Sequence, residues 1–218
     1  GRSSILTARD GRISGPRLQN KFHKGVMSSG CNVVDIGEVP TPLLYFSTFK
    51  TNISDGVMLT GSHNPKNYNG LKIVINKRSM TSEKIKKIKS MIEKEVFMDG
   101  SGKFKYLDIK DDYLKVLQEK IKINSKMKVC LDCGNGVGGV IAPHAFKLLG
   151  LDVIELYSEV DGNFPNHHPD PSDPKNLKDL QKKVLETNSD LGIALDGDGD
   201  RVGLIDNKGD IIFPDTYM

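Results

Sequence analysis

The sequence has few cysteines and no long apolar segment. Its three cysteines, an odd and small number, argue against a disulfide framework and indicate reduced thiols. No apolar run approaches the ~20 residues that a membrane-spanning helix needs, and the opening GRSSIL lacks the charged-then-apolar pattern of a signal peptide. We therefore expect a cytoplasmic protein with no membrane partner.

Charge of neither sign dominates. Lysine and arginine total 31 and aspartate and glutamate 28, so the formal net charge is +3. This small surplus does not indicate a nucleic-acid partner, but it is compatible with an anionic small-molecule substrate. With 37% hydrophobic and 27% charged residues, the composition is typical of a globular protein that can build a core.

Cys130 and Cys133 form a C-x-x-C pair within VCLDC. A structural zinc site requires four ligands, and the sequence has no second such pair. A redox pair usually lies at a helix N-terminus, whereas this pair falls in or at the end of a predicted strand. Core packing is the favoured interpretation, with a redox or metal role as the alternative.

Hydrophobic patterning predicts alternating strands and helices. Strands are expected at 5–8, 32–36, 56–60, 71–75, 128–131, 152–156, 191–195, 202–205 and 211–213, and helices from Pro16, at 43–49, from Ser82, at 113–121, before Gly150 and at 176–188. This order predicts an α/β protein with parallel sheets and helices on both faces. The charged stretch after Asp99 separates two expected domains, 1–105 and 106–218.

The sequence Asp196-Gly197-Asp198-Gly199-Asp200-Arg201 follows an apolar strand. Three clustered carboxylates repel one another, and a divalent cation removes that repulsion. Oxygen ligands favour Mg²⁺, Mn²⁺ or Ca²⁺. The EF-hand pattern fails, because Arg201 and Asn207 occupy its glycine and glutamate positions. A solvent-exposed acidic turn is the alternative.

The sequence Thr60-Gly61-Ser62-His63-Asn64-Pro65 also follows a predicted buried strand. A serine in such a turn is a plausible nucleophile. The G-x-S-x-G pattern of hydrolases fails at Asn64, and an adjacent serine and histidine do not make a triad. Ordinary turn chemistry is the alternative.

The two loops explain each other if Ser62 carries phosphate. A phosphoserine bears nearly two negative charges, which a cation on the three aspartates would neutralise. Arg201 could stabilise charge on the phosphoryl group in transfer. Both loops follow strands, and the carboxyl ends of parallel strands are where such sheets bind ligands.

Two other patterns suggest different functions. Gly134 to Gly139 fits G-x-G-x-x-G with Glu155 downstream, the pattern of a dinucleotide-binding dehydrogenase, but that function explains neither the aspartates nor Ser62. A tight structural turn is favoured there. His167 and His168 are neighbours in an extended loop, where joint metal ligation is disfavoured and loop packing is expected.

Seven short motifs of the sequence, taken together, resemble those of a known protein family. The motifs are TGSHNP, YNGLK, LDCGNG, EVDGNFPNHHPDP and DGDGDRVG, with RDGRISG and VPTP. Together they resemble the phosphomannomutase/phosphoglucomutase branch of the α-D-phosphohexomutases over essentially the whole chain. The resemblance implies two three-layer α/β/α domains with mainly parallel mixed sheets, domains 1 and 2 of the family's four. It also implies that the family's first strand and its C-terminal domains are missing, so that the chain would be a fragment without full activity.

By the same resemblance, Ser62 is a phosphoserine that interconverts hexose 1-phosphate and hexose 6-phosphate, of mannose or glucose, through a hexose 1,6-bisphosphate. Mg²⁺ would be held by Ser62, Asp196, Asp198 and Asp200. Lys72 and Arg201 would be catalytic, and His63 and Asn64 would contact the substrate. A phosphoglucosamine mutase is the neighbouring alternative, and a non-catalytic phosphosugar-binding fragment is the alternative of another class.

Overall fold

A computed structural model of the chain describes residues 4–217, without the side chain of Tyr217; the predicted domain bounds 1 and 218 lie outside these residues. The strands are β1 Ser4–Arg9, β2 Asn32–Glu38, β3 Gly56–Leu59, β4 Leu71–Ile75, β5 Arg78–Ser79, β6 Phe104–Tyr106, β7 Lys128–Asp132, β8 Asp152–Leu156, β9 Leu191–Leu195, β10 Val202–Asp206 and β11 Ile211–Ile212. The helices are α1 Gly15–Ser28, α2 Thr41–Lys50, α3 Ser82–Glu93, α4 Lys110–Lys120, α5 Ala142–Leu148, α6 Lys178–Thr187 and α7 Pro214–Tyr217. Short 3₁₀ helices occupy Val137–Val140 and Pro174–Leu177.

The strands form two mixed sheets. The first has the order β5-β4-β3-β1-β2-β6 and the second the order β11-β10-β9-β7-β8. In each sheet the central strands are parallel and an antiparallel hairpin extends one edge: β4 and β5 follow β3, and β10 and β11 follow β9. The predicted α/β class with mainly parallel mixed sheets is confirmed.

Side chains that alternate along β1 show that helices cover both faces of the first sheet. Leu6 and Ala8 share a core with Leu43 and Leu44 of α2. Thr7 points the other way and hydrogen-bonds His23 of α1 at 2.9 Å. Because successive side chains of a strand face opposite sides, the three layers follow directly from this sequence.

The second sheet repeats this arrangement with β7. Cys130 packs among Leu180 and Val184 of α6, whereas Cys133 packs in the core that includes Phe146 of α5. The two thiols therefore lie in different cores on opposite faces of the sheet. Both are free and buried, and burial raises the pKa of Cys133 to about 12. Core packing, the favoured interpretation, agrees with this geometry.

The two sheets share one core through α4. Ile109 and Leu114 belong to the same buried cluster as Leu43 of the first sheet's α2 and Ile141 and Ala145 beside the second sheet. Burial of apolar surface is the main favourable term in such packing, so the two halves are held in a defined relation. β6 crosses the predicted boundary at 105 and pairs with β2, and that boundary stays a prediction. Among the described helices, none is both long enough and apolar enough to cross a membrane.

Candidate functional site

The Ser62 loop begins where β3 ends, at the carboxyl edge of the first sheet. Ser62 is 8% exposed and has a left-handed φ of 51°. Its amide donates to Oγ1 of Thr60 at 2.7 Å, a short side-chain bond that curls the chain immediately after the strand. The serine hydroxyl is thereby presented from a tight turn and not from an extended segment.

The aspartate loop begins where β9 ends, at the corresponding edge of the second sheet. Oδ1 of Asp196 accepts hydrogen bonds from the amides of Asp200 at 3.0 Å and Arg201 at 3.1 Å, which folds the loop back on its first residue. Gly199 has φ +70°, which glycine adopts without strain. One carboxylate oxygen from each of Asp196, Asp198 and Asp200 then lies within 4.8 Å of the others.

The two loops meet. The hydroxyl of Ser62 donates to Oδ2 of Asp196 at 3.1 Å. The backbones of the two loops are also close together. A Cβ atom added to Gly197 would lie only 2.6 Å from the carbonyl oxygen of Ser62. Glycine at this position is what allows the serine to approach the aspartates.

Lys72 joins the same cluster from β4. Its ammonium donates to Oδ2 of Asp198 and to Oδ2 of Asp200, at 2.6 Å each. β4 runs antiparallel to β3, with Lys72 opposite Met58, so the strand pairing carries the lysine to the aspartate loop. The structure thus brings together five of the residues predicted from sequence: Ser62, Lys72, Asp196, Asp198 and Asp200.

The pKa values in the cluster are shifted by burial and by the closeness of its charged groups. Burial, and next the charge of Asp198, raise the pKa of Asp196 to about 7. Burial alone would also raise the pKa of Asp198, but hydrogen bonds from Lys72 and Thr41 outweigh it and lower that pKa. Burial would lower the pKa of the Lys72 ammonium, and its bonds to the two carboxylates raise it instead. Buried like charges of this kind favour a bound cation.

One oxygen in the cluster has no hydrogen-bond partner. Oδ1 of Asp198 is buried and unpaired, whereas its Oδ2 accepts from Thr41 Oγ1 at 2.5 Å and from Lys72. A buried carboxylate oxygen without a partner is costly, and a metal ion removes that cost. The oxygen donors of three aspartates and a serine suit a hard divalent cation, so these residues fit a metal site.

The remaining predicted residues lie around this cluster. His63 hydrogen-bonds Oδ2 of Asp170 through Nδ1 at 3.0 Å, linking the two halves of the chain. Asn64 is exposed and donates from its side chain to the carbonyl oxygen of Gly61 at 2.9 Å. The exposed side chain of Arg201 borders a cleft of about 410 Å³ next to Asp200.

Sequence reasoning missed three residues that support the site. Thr41, in the VPTP turn, donates its hydroxyl to Asp198, and its amide donates to the Asp198 carbonyl oxygen at 2.9 Å. Asp170 pairs with His63, and Arg12 contacts the backbone of the Ser62 loop. A hydroxyl between two prolines after a strand was the available signal for Thr41. Arg12 and Asp170 lie in the motifs RDGRISG and EVDGNFPNHHPDP, but their partners are far away in sequence, so no local pattern indicated these contacts.

The Gly-rich turn supports the aspartate loop. The amide of Val137 donates to the carbonyl oxygen of Gly197 at 3.1 Å, and a Cβ on Gly136 would lie 3.0 Å from Gly197. A Cβ on Gly139 would lie 1.9 Å from the carbonyl oxygen of Ser158. These glycines serve close backbone packing, which favours the structural interpretation of GNGVGG.

His167 and His168 do not form a joint site in the described residues. Nε2 of His167 lies 2.9 Å from Oδ2 of Asp132, which is fully buried at the end of β7. Nδ1 of His167 lies 3.0 Å from the carbonyl oxygen of His168. Both ring nitrogens of His167 are thus used in holding the loop onto the sheet, in agreement with the expected loop packing.

Comparison with known proteins agrees with this geometry. Residues 1–99 match the model of phosphoglucomutase/phosphomannomutase α/β/α domain I, and residues 111–209 match that of domain II. Two three-layer domains with a serine loop facing an aspartate loop define a protein of the phosphohexomutase class. The chain belongs to the phosphoglucomutase/phosphomannomutase family.

Similar proteins bear the names phosphomannomutase/phosphoglucomutase or phosphoglucomutase. The chain is 51% identical over 218 residues to a phosphomannomutase/phosphoglucomutase of Pseudomonas aeruginosa, covering 100% of this chain and 47% of that protein. It is 44% identical over 220 residues to a phosphoglucomutase of Neisseria meningitidis, covering 100% and 48%. A crystal structure of a family protein from Burkholderia thailandensis is 40% identical with a TM-score of 0.95, covering 98% and 48%. The chain spans about half the length of the curated relatives it matches.

Proposed function

We propose that this chain carries the phosphoryl-transfer site of a phosphohexomutase that interconverts hexose 1-phosphate and hexose 6-phosphate, of mannose or glucose. The proposal rests on one observation: the hydroxyl of Ser62 lies 3.1 Å from Asp196, inside a group of three carboxylates that can hold a cation. A hydroxyl so placed can carry a phosphoryl group whose charge the cation offsets.

Mg²⁺ is the proposed cofactor, held by Asp196, Asp198, Asp200 and the phosphate on Ser62. When bound, it would neutralise phosphoryl oxygens and polarise the phosphorus for attack. The unpaired Oδ1 of Asp198 supports the metal assignment independently of family resemblance.

The proposed reaction moves one phosphoryl group out of the protein and one back. A hydroxyl of the hexose monophosphate attacks the phosphorus of phospho-Ser62, the Ser62 Oγ–phosphorus bond breaks, and the proton lost by the hydroxyl is replaced by one gained at Ser62 Oγ. The product is a hexose 1,6-bisphosphate. Once this has turned around, Ser62 Oγ attacks the phosphorus of the other phosphate, the bond from that phosphorus to the sugar oxygen breaks, and the sugar oxygen gains the proton that Ser62 loses. The isomeric monophosphate is released, and Ser62 carries phosphate again.

Individual side chains have proposed roles in this exchange. Lys72, whose ammonium is held between two carboxylates, is proposed to assist proton transfer by giving a proton to the oxygen that leaves phosphorus and regaining one from the attacking hydroxyl. Arg201, at the rim of the cleft beside Asp200, is placed to stabilise phosphoryl charge. The half-buried His63 and the exposed Asn64, which follow Ser62 in the same turn, are proposed to contact the sugar phosphate.

Phosphorylation of Ser62 tests the proposal. After incubation with glucose 1,6-bisphosphate and Mg²⁺, intact-mass analysis should show one added phosphate on the wild-type chain. Ser62→Ala should add none, and Ser28→Ala, at an exposed position of α1, should behave as wild type. Absence of uptake in the wild type would count against a self-sufficient phosphoryl-transfer half and in favour of a phosphosugar-binding fragment.

Identifying the sugar substrate and testing the complete interconversion require a protein of the relatives' full length. Because the chain spans about half the length of its relatives, we expect phosphate uptake from these 218 residues and not the full interconversion. Assays of the full-length protein on mannose 1-phosphate, glucose 1-phosphate and glucosamine 1-phosphate would separate the proposed activity from a phosphoglucosamine mutase. A cytoplasmic location stays a prediction.

A further inference from the structure

Arg12 is a charged side chain with almost no contact with solvent. The residue is 1% exposed, and its guanidinium group contacts the backbone of the Ser62 loop. A guanidinium has five N–H donors, and here every one has an acceptor. Nε donates to Oδ2 of Asp10 at 3.1 Å, Nη1 to the carbonyl oxygens of Pro65 at 2.6 Å and Tyr68 at 3.1 Å, and Nη2 to those of Ser62 at 2.7 Å and Asn64 at 2.7 Å.

Asp10 makes the buried charge tolerable and adds to the same contacts. A buried cation needs a partner and satisfied hydrogen bonds, and Asp10 is the partner of Arg12. The other hydrogen bonds of Oδ2 of Asp10 come from Oγ1 of Thr60 at 2.8 Å and the amide of Gly61 at 3.2 Å. The Arg12–Asp10 ion pair therefore makes hydrogen bonds to the loop on both sides of Ser62.

The loop needs such restraint because Ser62 has an unfavourable backbone conformation. Its φ of 51° is left-handed, a region that a serine enters only when its surroundings require it. The carbonyl oxygen of Ser62 is held by Arg12, and its amide by Thr60. Without the arginine, four carbonyl oxygens of this loop would each lose a donor.

The second half of the chain closes over Arg12. The ring of Phe164 lies 5.4 Å from the guanidinium carbon, on the loop between β8 and α6. Phe164 is also left-handed, with φ 51°. In the same contact a Cβ on Gly162 would lie 2.6 Å from the carbonyl oxygen of Gly11. The arginine is thus enclosed between the Ser62 loop and an aromatic ring from the other half.

We propose that Arg12 is the positioning residue of the Ser62 loop, and that Phe164 holds Arg12 in place across the contact between the two halves. Arg12 acts through the backbone of the loop: it keeps Ser62 in the left-handed turn that aims its hydroxyl at Asp196. The consequence for phosphoryl transfer rests on the proposed function, whereas the hold on the loop does not. Lysine cannot replace the arginine, since an ammonium lacks the planar fork that reaches four carbonyl oxygens.

Hydrogen exchange measured by mass spectrometry tests the hold on the loop. In Arg12→Lys, amides of residues 60–68 should exchange about tenfold faster or more, because several hydrogen bonds of one local unit are lost. Amides of β7 and β9 should keep the wild-type rate. Arg17→Lys, at an exposed position of α1, is the matched control and should leave the loop unchanged.

A chemical readout separates positioning from general stability. Arg12→Lys should take up phosphate from glucose 1,6-bisphosphate about tenfold more slowly or worse, as expected for a misplaced reacting group. Its Mg²⁺ affinity, measured by calorimetry, should fall by a smaller factor than its uptake rate, because the three aspartates among the proposed ligands are untouched. Added guanidinium ion at millimolar concentration should partly restore loop protection in Arg12→Ala, and ammonium ion should not.

Three results would overturn the proposal: loop exchange in Arg12→Lys equal to that in Arg17→Lys, faster exchange spread evenly over both halves, or uptake at the wild-type rate. Should the Arg12 variants fail to fold, Phe164→Leu decides, with faster exchange of residues 60–68 expected and wild-type exchange contradicting the proposal. Failure of wild-type uptake would count against the proposed function alone, because loop exchange still tests Arg12.

Discussion

The hydroxyl of Ser62 and the carboxylate of Asp196 lie 3.1 Å apart, although 134 positions separate the two residues in the chain. Each follows the carboxyl end of a strand, β3 in one sheet and β9 in the other. The contact depends on the way in which the sheets adjoin, with Gly197 against the backbone of Ser62 at its centre. Changes at this contact should alter chemistry and stability together.

Gly197→Ala should separate the two loops. The new Cβ would lie 2.6 Å from the carbonyl oxygen of Ser62, so one loop has to move. We expect the free energy of unfolding to fall by about 1 to 3 kcal/mol, as overpacking usually costs, and phosphate uptake by Ser62 to fall with it. Urea denaturation and intact-mass analysis measure the two effects.

Gly25→Ala is the control for that substitution. Gly25 lies within α1, and its Cβ would meet nothing within 4 Å. Alanine there should stabilise the helix by roughly 0.5 to 1 kcal/mol and leave uptake unchanged. Equal losses of stability in the two variants would contradict the proposed close approach of Gly197.

Asp198→Asn should weaken Mg²⁺ binding. The amide lacks the negative charge, and the buried position now occupied by Oδ1 would offer the cation a weaker ligand or a repelling NH₂ group. A loss of about tenfold or more in affinity is expected from calorimetry. Asp152→Asn, at an exposed position of β8, removes the same charge elsewhere and should not alter the affinity; an unchanged affinity in Asp198→Asn would refute the metal assignment.

Lys72→Met should make the thermal stability of the protein depend more strongly on Mg²⁺. The ammonium that neutralises Asp198 and Asp200 is removed, so the metal-free protein keeps its carboxylates without a counter-charge. We expect a lower Tm without Mg²⁺ and a larger increase in Tm on its addition than in wild type. Lys24→Met, exposed on α1, should show the wild-type increase, and the prediction fails if Lys72→Met shows no larger one.

His167 should make stability depend on pH. Burial alone would lower the pKa of His167, but its hydrogen bond to Asp132 outweighs burial and raises that pKa above 6.5. The folded protein then binds this proton more tightly than the unfolded chain does. The stabilisation is therefore complete below pH 6.5 and is lost as pH rises through the folded pKa.

His167→Gln should remove this part of the pH dependence. Urea denaturation from acidic to mildly alkaline pH should give a smaller decline in the free energy of unfolding than wild type shows. His144→Gln, at an exposed position of α5, should retain the wild-type decline. Matching pH profiles for wild type and His167→Gln would show that the pair with Asp132 is not the source.

Local patterning predicted most of the fold because it depends on neighbouring residues. Alternating apolar segments predicted the central strands of both sheets, and these were confirmed. β5 and β6 were missed, since each is short and exposed and exists by pairing with a neighbouring strand. The helix predicted at 43–49 begins at Thr41 instead, and the helix predicted at 176–188 is a 3₁₀ turn followed by α6 at Lys178–Thr187.

The sequence by itself determined which groups could do chemistry: a serine and three aspartates, each in a glycine-containing turn after an apolar strand. Only the tertiary structure decided that they meet, that Lys72 lies between Asp198 and Asp200, and that the guanidinium of Arg12 supports the serine loop. The physical reason is that turn chemistry acts over a few residues. Contacts between residues 50 to 134 positions apart depend instead on how the strands, helices and two sheets pack together, which no local pattern predicts.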